Sequence, residues 1–167
     1  MMRLERRSLG IWDAAAAAYV PVGNSAFGVD LPGLGQPGAF GFSDWGLVDL
    51  ADPVLADRAR LAPELTCRPP LRTARVHAQS AHGPLTGWVE HVEAEIWGAL
   101  VDVVILVNGS GTLKGDSGML WRDAQGRGLA MHAQGLEGPG YSRYSFCMAA
   151  ARVAAQLQLA GVQLVDA

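Results

Sequence analysis

Five short β-type runs separated by glycine-containing turns restrict the possible folds of this chain more than any other feature. They occupy residues 73–78, 86–92, 100–107, 119–122 and 128–133. The third run, LVDVVILV, is almost continuously apolar, which is typical of a strand that is buried on both faces. An alanine-rich stretch at 146–159 has helical composition. Many short strands followed by one helix predict an all-β barrel domain.

The first 70 residues are organised differently. Residues 1–40 contain short apolar pieces broken by Gly and Pro, and the piece at 12–22 is compatible with either a strand or a short helix. A compact strand is predicted at 45–50. Pro-rich residues 63–70 form the best candidate linker, so we expect a partial first unit at 1–62 and a second unit at 71–167.

Composition excludes several classes of function. Half of the residues are hydrophobic, only 17% are charged and the net charge is −3, so the chain offers no basic face for nucleic acid. It lacks the run of about 18 apolar residues needed to span a membrane, and we expect a cytoplasmic protein. Cys67 and Cys147 are expected to be small buried hydrophobes more often than a disulfide. No set of residues has metal-ligand spacing, and no cofactor is implied.

The segment Gly115-Asp116-Ser117-Gly118 carries the most informative chemistry. A tight loop with Gly on both sides of a serine exposes its hydroxyl for attack on a carbonyl carbon. The N–H groups of Gly115 and Ser117 could then hold the developing oxyanion. The alternative is a loop of purely structural importance, and the four residues alone do not separate the two interpretations.

With its flanks, this GDSG motif resembles the nucleophile motif of the trypsin-like (chymotrypsin-fold) serine peptidases of bacterial type. A strand, a turn at Gly126, the run 128–132 and a closing helix follow it in that family's order, and GPLTGWV at 83–89 resembles the first hairpin of the family's second barrel. Asp44, at the start of DWGLVDL, resembles the aspartate of the catalytic triad. The resemblance implies a double β-barrel with a truncated first barrel, a six-stranded second barrel and a C-terminal helix. It also implies that Ser117 is the nucleophile and that Asp44 orients the base.

The histidine of such a triad is missing from its expected place. Residues 1–43 contain no His, and the four histidines all follow Asp44; they are His77, His82, His91 and His132. Two explanations remain open. The chain is part of a longer peptidase, or it is a shortened, non-catalytic relative (a pseudoenzyme) whose open sheet edges are covered by a partner or in an oligomer.

The resemblance also suggests residues for substrate binding. It places His132 and Met131 on or beside the strand that lines the primary specificity pocket, and Gly111 at an uncharged pocket floor. Imidazolium at His132 would favour acidic substrate side chains, whereas a structural histidine is the plainer interpretation. Met119 stands where the family commonly has a second Gly. We therefore expect amide hydrolysis of a peptide or protein through an acyl-serine if a base is supplied, with a non-catalytic protease-fold binding or scaffold module as the alternative.

Overall fold

The computed structural model describes two parts of the chain, the first mainly by its backbone and the second with its side chains. In the N-terminal part it describes the backbone of strands 8–13, 18–30 and 44–50, together with residues 51, 53, 54 and 57. In the C-terminal part it describes residues 65–80, 82–96, 98–135 and 142–159, with side chains as far as residue 158.

The N-terminal strands form an antiparallel sheet in the order β1-β2-β3. These strands are β1 (Ser8–Asp13), β2 (Ala18–Asp30) and β3 (Asp44–Leu50). Register pairs Trp12 with Tyr19 in the first hairpin and Asp30 with Asp44 in the second. Within the piece at 12–22, which the sequence left open, the described residues 12, 13 and 18–22 are therefore strand.

The C-terminal part contains a closed six-stranded antiparallel barrel, which confirms the predicted all-β unit. Its strands are arranged in the order β4-β5-β6-β9-β8-β7. Their bounds are β4 (Arg75–Ser80), β5 (Gly83–Ile96), β6 (Ala99–Val107), β7 (Leu120–Arg122), β8 (Gly128–Gly135) and β9 (Tyr144–Ala149). The barrel is closed between β4 and β7, where His77 pairs with Arg122, so neither strand is a free edge of an open sheet.

Every second side chain of a strand points into the barrel, and these inward side chains form its core. Strand β4 alternates strictly between exposed and buried residues, as expected for a strand with one face in a core. Trp121, Ile105 and Leu129 are fully buried and belong to one core cluster. Strand β6 is buried on both faces for much of its length, because Val104 packs with Phe146 in a second cluster away from the main core. The nearly continuous apolar run in the sequence had predicted this.

Helix α1 (Ala150–Leu159) follows β9 directly and packs on the barrel. Val153 and Leu157 contact Met148 and Ala133 in a cluster of their own. The first turn of the helix has no acidic residue, but Asp102 from β6 supplies a carboxylate there. Its Oδ2 accepts hydrogen bonds from the N–H of Ala149 at 2.8 Å and from Nε of Arg152 at 2.5 Å. A carboxylate at this end complements the free N–H groups and the helix dipole.

The sequence placed the start of this helix too early. Residues 146–149 were predicted to be helical, whereas they form the end of strand β9, which pairs with both β6 and β8. The described part of the predicted linker is attached to the barrel. Leu65 is buried, and Gly128 exchanges backbone hydrogen bonds with Thr66 and Arg68 at 2.8 and 3.0 Å.

The described N-terminal strands form a sheet of three, so the trypsin-like double barrel remains a prediction. Within the described residues, no helix has both the length and the apolar character required to cross a membrane.

Candidate functional site

The loop between β6 and β7 contains the GDSG motif, and its two ends are fixed by backbone hydrogen bonds. Thr112 and Ser142 form an antiparallel bridge, with N···O distances of 2.7 and 2.9 Å. At the other end, the N–H of Gly118 donates to the carbonyl of His132 at 2.8 Å. The loop is thereby bonded to strand β8 at one end and to Ser142, just before β9, at the other.

Glycines provide the backbone shape of this loop. Gly115 and Gly118 have φ of 103° and 88°, values at which a Cβ would be strained. The sequence argument that this turn requires glycine on both sides of Ser117 is confirmed.

Asp116 closes the turn from inside. Its side chain is buried, and Oδ2 accepts the N–H of Leu113 at 2.9 Å, while the N–H of Asp116 donates to the carbonyl of Leu113 at 3.1 Å. These contacts make Asp116 part of the architecture of the loop. Its second oxygen, Oδ1, is buried without a hydrogen-bond partner among the described residues.

Ser117 lies at the exposed apex of the loop. Its Oγ donates to the carbonyl of Ala133 at 3.2 Å and is not packed inside the barrel. Among the hydrogen bonds of the described residues, none uses the N–H of Gly115 or of Ser117, so both donors remain available. The neighbouring Met119 side chain is buried in the main core cluster, which directs it into the barrel. The apex thus presents a hydroxyl and two amide N–H groups that have no acceptor in the described part of the chain.

His132, which the sequence suggested as a substrate-binding residue, is buried and bound to protein groups. It is 3% exposed, and its Nδ1 lies 2.7 Å from Oγ of Ser145. The same hydroxyl accepts the indole N–H of Trp121 at 2.9 Å and lies 3.0 Å from Sγ of Cys147. Ser145 is therefore the centre of a buried polar network that links strands β7, β8 and β9.

Burial changes the ionisation of two members of this network. It lowers the pKa of His132 to about 4, because the imidazolium loses its hydration, although the nearby Asp116 carboxylate acts in the opposite direction. Burial also raises the pKa of the Cys147 thiol to about 12, although the hydrogen bond with Ser145 acts to lower that pKa. Around neutral pH the imidazole carries no charge for an acidic substrate side chain, and the thiol is protonated and inert.

The buried imidazole predicts a loss of stability in mild acid. The unfolded chain takes up a proton on His132 near pH 6.5, whereas the folded chain does so only near pH 4. The unfolded state binds more protons in this window, so the free energy of unfolding falls as pH drops from 6.5 to 4, by about 3 kcal/mol in total. Urea denaturation at half-unit pH steps measures this slope. His132→Gln should flatten it, and an unchanged slope in that variant would assign the effect to other groups.

The structure shows contacts of two of the remaining predicted site residues, Met131 and Gly111. Met131 is half-buried and packs in the helix-facing cluster with Met148 and Val153. Gly111 lies against the backbone of Ser142, where an added Cβ would meet the Ser142 carbonyl oxygen. Asp44 begins strand β3 in the separate three-stranded sheet, and its side chain lies outside the described part.

No histidine contacts the Ser117 hydroxyl within the described part of the chain. His77 and His91 occupy exposed positions on β4 and β5, and His82 lies in the turn between these strands. The imidazole of His132 is hydrogen-bonded to the Ser145 hydroxyl instead. In the same part, no group of three His, Cys, Asp or Glu side chains could hold a metal ion.

No family model and no curated protein matches this chain.

The Ser145 network is the feature that sequence reasoning missed. Its members are one Trp, one His, one Ser and one Cys, spread over 27 positions from 121 to 147, and none has a motif. The available signal was the spacing of Ser145 and Cys147, which places both on the same face of a strand. Both side chains point inward because residues 144–149 form strand β9, which the helical composition of 146–159 did not predict.

Proposed function

We propose that this chain is a trypsin-like peptidase-fold protein in which Ser117 is the nucleophile of an acyl-transfer site. The observation that supports this is the exposed Ser117 hydroxyl between two glycines with positive φ, on a loop where the N–H groups of Gly115 and Ser117 have no acceptor among the described residues. In this proposal the three-stranded sheet corresponds to a truncated first barrel, and Asp44 is the residue that orients the base.

The reaction that fits this arrangement is hydrolysis through an acyl-serine. A base takes the proton of Ser117 as Oγ attacks the carbonyl carbon, and the N–H groups of Gly115 and Ser117 bind the oxyanion. The base returns the proton to the leaving amine as the C–N bond breaks. Water then attacks the ester in the same way and releases the acid, which regenerates the serine.

The base must come from outside the surroundings of Ser117 that the structure describes. A serine without a base is a poor nucleophile near neutral pH, and loss of a triad member leaves only residual catalysis. The chain has no histidine before His77, and His132 is buried in another interaction. We therefore propose that hydrolysis is impaired in this chain alone and that an added imidazole restores part of it.

A non-catalytic binding module is the second candidate. It is favoured by the lack of any imidazole bonded to Ser117 among the described side chains. In that case the loop keeps its shape as a contact surface for a peptide or protein, and the serine performs no chemistry.

Ester hydrolysis with and without imidazole separates the two candidates. The peptidase proposal predicts a protein-dependent hydrolysis of a nitrophenyl ester that is slow alone and rises at least ten-fold with imidazole, after the background reaction of imidazole is subtracted. Ser117→Ala should abolish this rate, whereas Ser110→Ala, a change in an exposed serine of the same loop, should leave it unchanged. Equal rates for the wild type and Ser117→Ala would overturn the nucleophile assignment. No protein-dependent rate from folded protein would favour the binding module.

A further inference from the structure

The outer face of the barrel contains a second concave site, formed by β4, β5 and the residue that follows β6. Its volume is about 530 Å³, within the range of ligand-binding pockets. The residues that line it are Arg75, Val76, His77, Thr86, Gly87, Trp88, Asn108 and Ala124. None of them belongs to the nucleophile loop apex or to the Ser145 network.

The two basic side chains of this site point to solvent without a bonded partner among the described residues. Arg75 and His77 are exposed, and no side-chain hydrogen bond or ion pair of either residue is seen in the described part of the chain. They are two residues apart on one face of β4, a spacing of about 7 Å. Thr86, the cross-strand partner of His77, accepts the amide of Asn108 at 3.1 Å and keeps its own hydroxyl hydrogen for a ligand.

An aromatic side chain stands next to these donors. Trp88 pairs with Arg75 across the β4–β5 ladder and is 37% exposed, although it is one of the largest apolar side chains in the barrel. An indole left partly in water beside a guanidinium can stack against an apolar group of a ligand.

The charged and polar side chains that line this site favour the binding of an anion. Its lining contains no carboxylate. The neighbouring Asp123 is compensated, because it forms ion pairs with Arg127 at 2.7 Å and with Arg68 at 3.4 Å. A local excess of donors in a chain of net charge −3 therefore attracts a negatively charged group.

We infer that this pocket binds an acidic peptide segment in an extended conformation. The side chains of an extended peptide on one face repeat every two residues, at the same spacing of about 7 Å as Arg75 and His77. One carboxylate binds the Arg75 guanidinium through two parallel hydrogen bonds, and the next same-face carboxylate accepts an N–H of His77. An apolar side chain of the peptide stacks on Trp88. This site lies outside the proposed acyl-transfer site and does not depend on it.

Calorimetric titration with a designed peptide tests the inference. The probe is acetyl-Phe-Ser-Glu-Ser-Glu-amide, and its control has Gln in place of both Glu. Both are titrated into the Ser117→Ala protein, so that no hydrolysis can occur. The Glu peptide should bind at least ten-fold more tightly than the Gln peptide. The double variant R75Q/H77Q should lose at least ten-fold in affinity for the Glu peptide.

A matched charge change separates a specific site from general attraction. Arg143 is an exposed arginine outside the pocket lining, and R143Q removes the same charge as R75Q. Its affinity for the Glu peptide should stay within two-fold of the parent. An equal loss in R143Q, equal binding of the Glu and Gln peptides, or no binding of the Glu peptide to folded protein would each overturn the inference. If benzoate alone binds as tightly as the Glu peptide, the pocket is a small-molecule site and the peptide assignment is wrong.

Discussion

Gly111→Ala is expected to lower the free energy of unfolding by about 4 kcal/mol, the sum of backbone strain and of overpacking at this position. Gly111 has φ of 72°, and a Cβ built there lies 2.2 Å from the carbonyl oxygen of Ser142. Because the contact is with backbone, no side-chain rotation can relieve it. The bridge between Thr112 and Ser142 must then separate, and this bridge holds the start of the nucleophile loop.

Gly109→Ala is the matched control for this prediction. Gly109 has a similar φ of 67°, but no atom lies within 4 Å of its added Cβ. It should therefore lose only the strain of a left-handed alanine, about 1 kcal/mol. Urea denaturation followed by tryptophan fluorescence measures both variants. Equal losses at the two positions would show that close approach to Ser142 is unimportant.

Ser145→Ala is expected to lower the free energy of unfolding by a similar amount. The substitution removes the hydroxyl that the indole N–H of Trp121 and Nδ1 of His132 both contact. Each buried polar group left without a partner costs about 1 to 3 kcal/mol, so the two together cost about 4 kcal/mol. Ser145 is fully buried, and the removed oxygen leaves too little space for a water molecule to replace it with good geometry.

Ser80→Ala provides the comparison for a buried serine with a simpler role. The Ser80 hydroxyl accepts one backbone N–H, from His82 at 2.9 Å, and the side chain is 6% exposed. Its loss should be about 1 kcal/mol. Thermal and urea unfolding of both variants measure the two losses in the free energy of unfolding. If Ser145→Ala is no less stable than Ser80→Ala, the network does not have the energetic role that its geometry implies.

The barrel could be predicted from local patterns because its strands carry two signals that do not depend on distant contacts. Alternation in β4 and the unbroken apolar run in β6 follow from which faces are buried, and glycines mark most of the turns. An all-β barrel and a terminal helix were predicted on that basis and are confirmed, whereas the number of six strands was implied by the family resemblance and agrees with the structure. Strand bounds differ by a few residues, most of all in β5, which continues to Ile96 through a bulge near His91.

The error at the helix start has a physical cause. Residues 146–149, FCMA, are compatible with helix by propensity, but their neighbours in space are β6 and β8. Pairing with two strands satisfies their backbone groups and buries Phe146 and Cys147, which outweighs the weak local preference. Only the tertiary contacts contain that information.

The candidate site was predictable in part. The Gly-Asp-Ser-Gly spacing predicted a tight loop and the exposure of Ser117, and both features depend on residues adjacent in sequence. The state of His132 was not predictable, because its burial and its bond to Ser145 depend on the register between β8 and β9. The relation between Asp44 and Ser117 depends on two separate sheets, and it stays a prediction.

Covalent labelling by a fluorophosphonate in the presence of imidazole, followed by peptide mapping with mass spectrometry, is the most direct test of whether Ser117 is an activatable nucleophile. We expect one phosphonyl adduct on the folded protein, located on Ser117, and none on Ser117→Ala under the same conditions. An unmodified Ser117 in folded protein, or an adduct found only on other residues, would contradict the account.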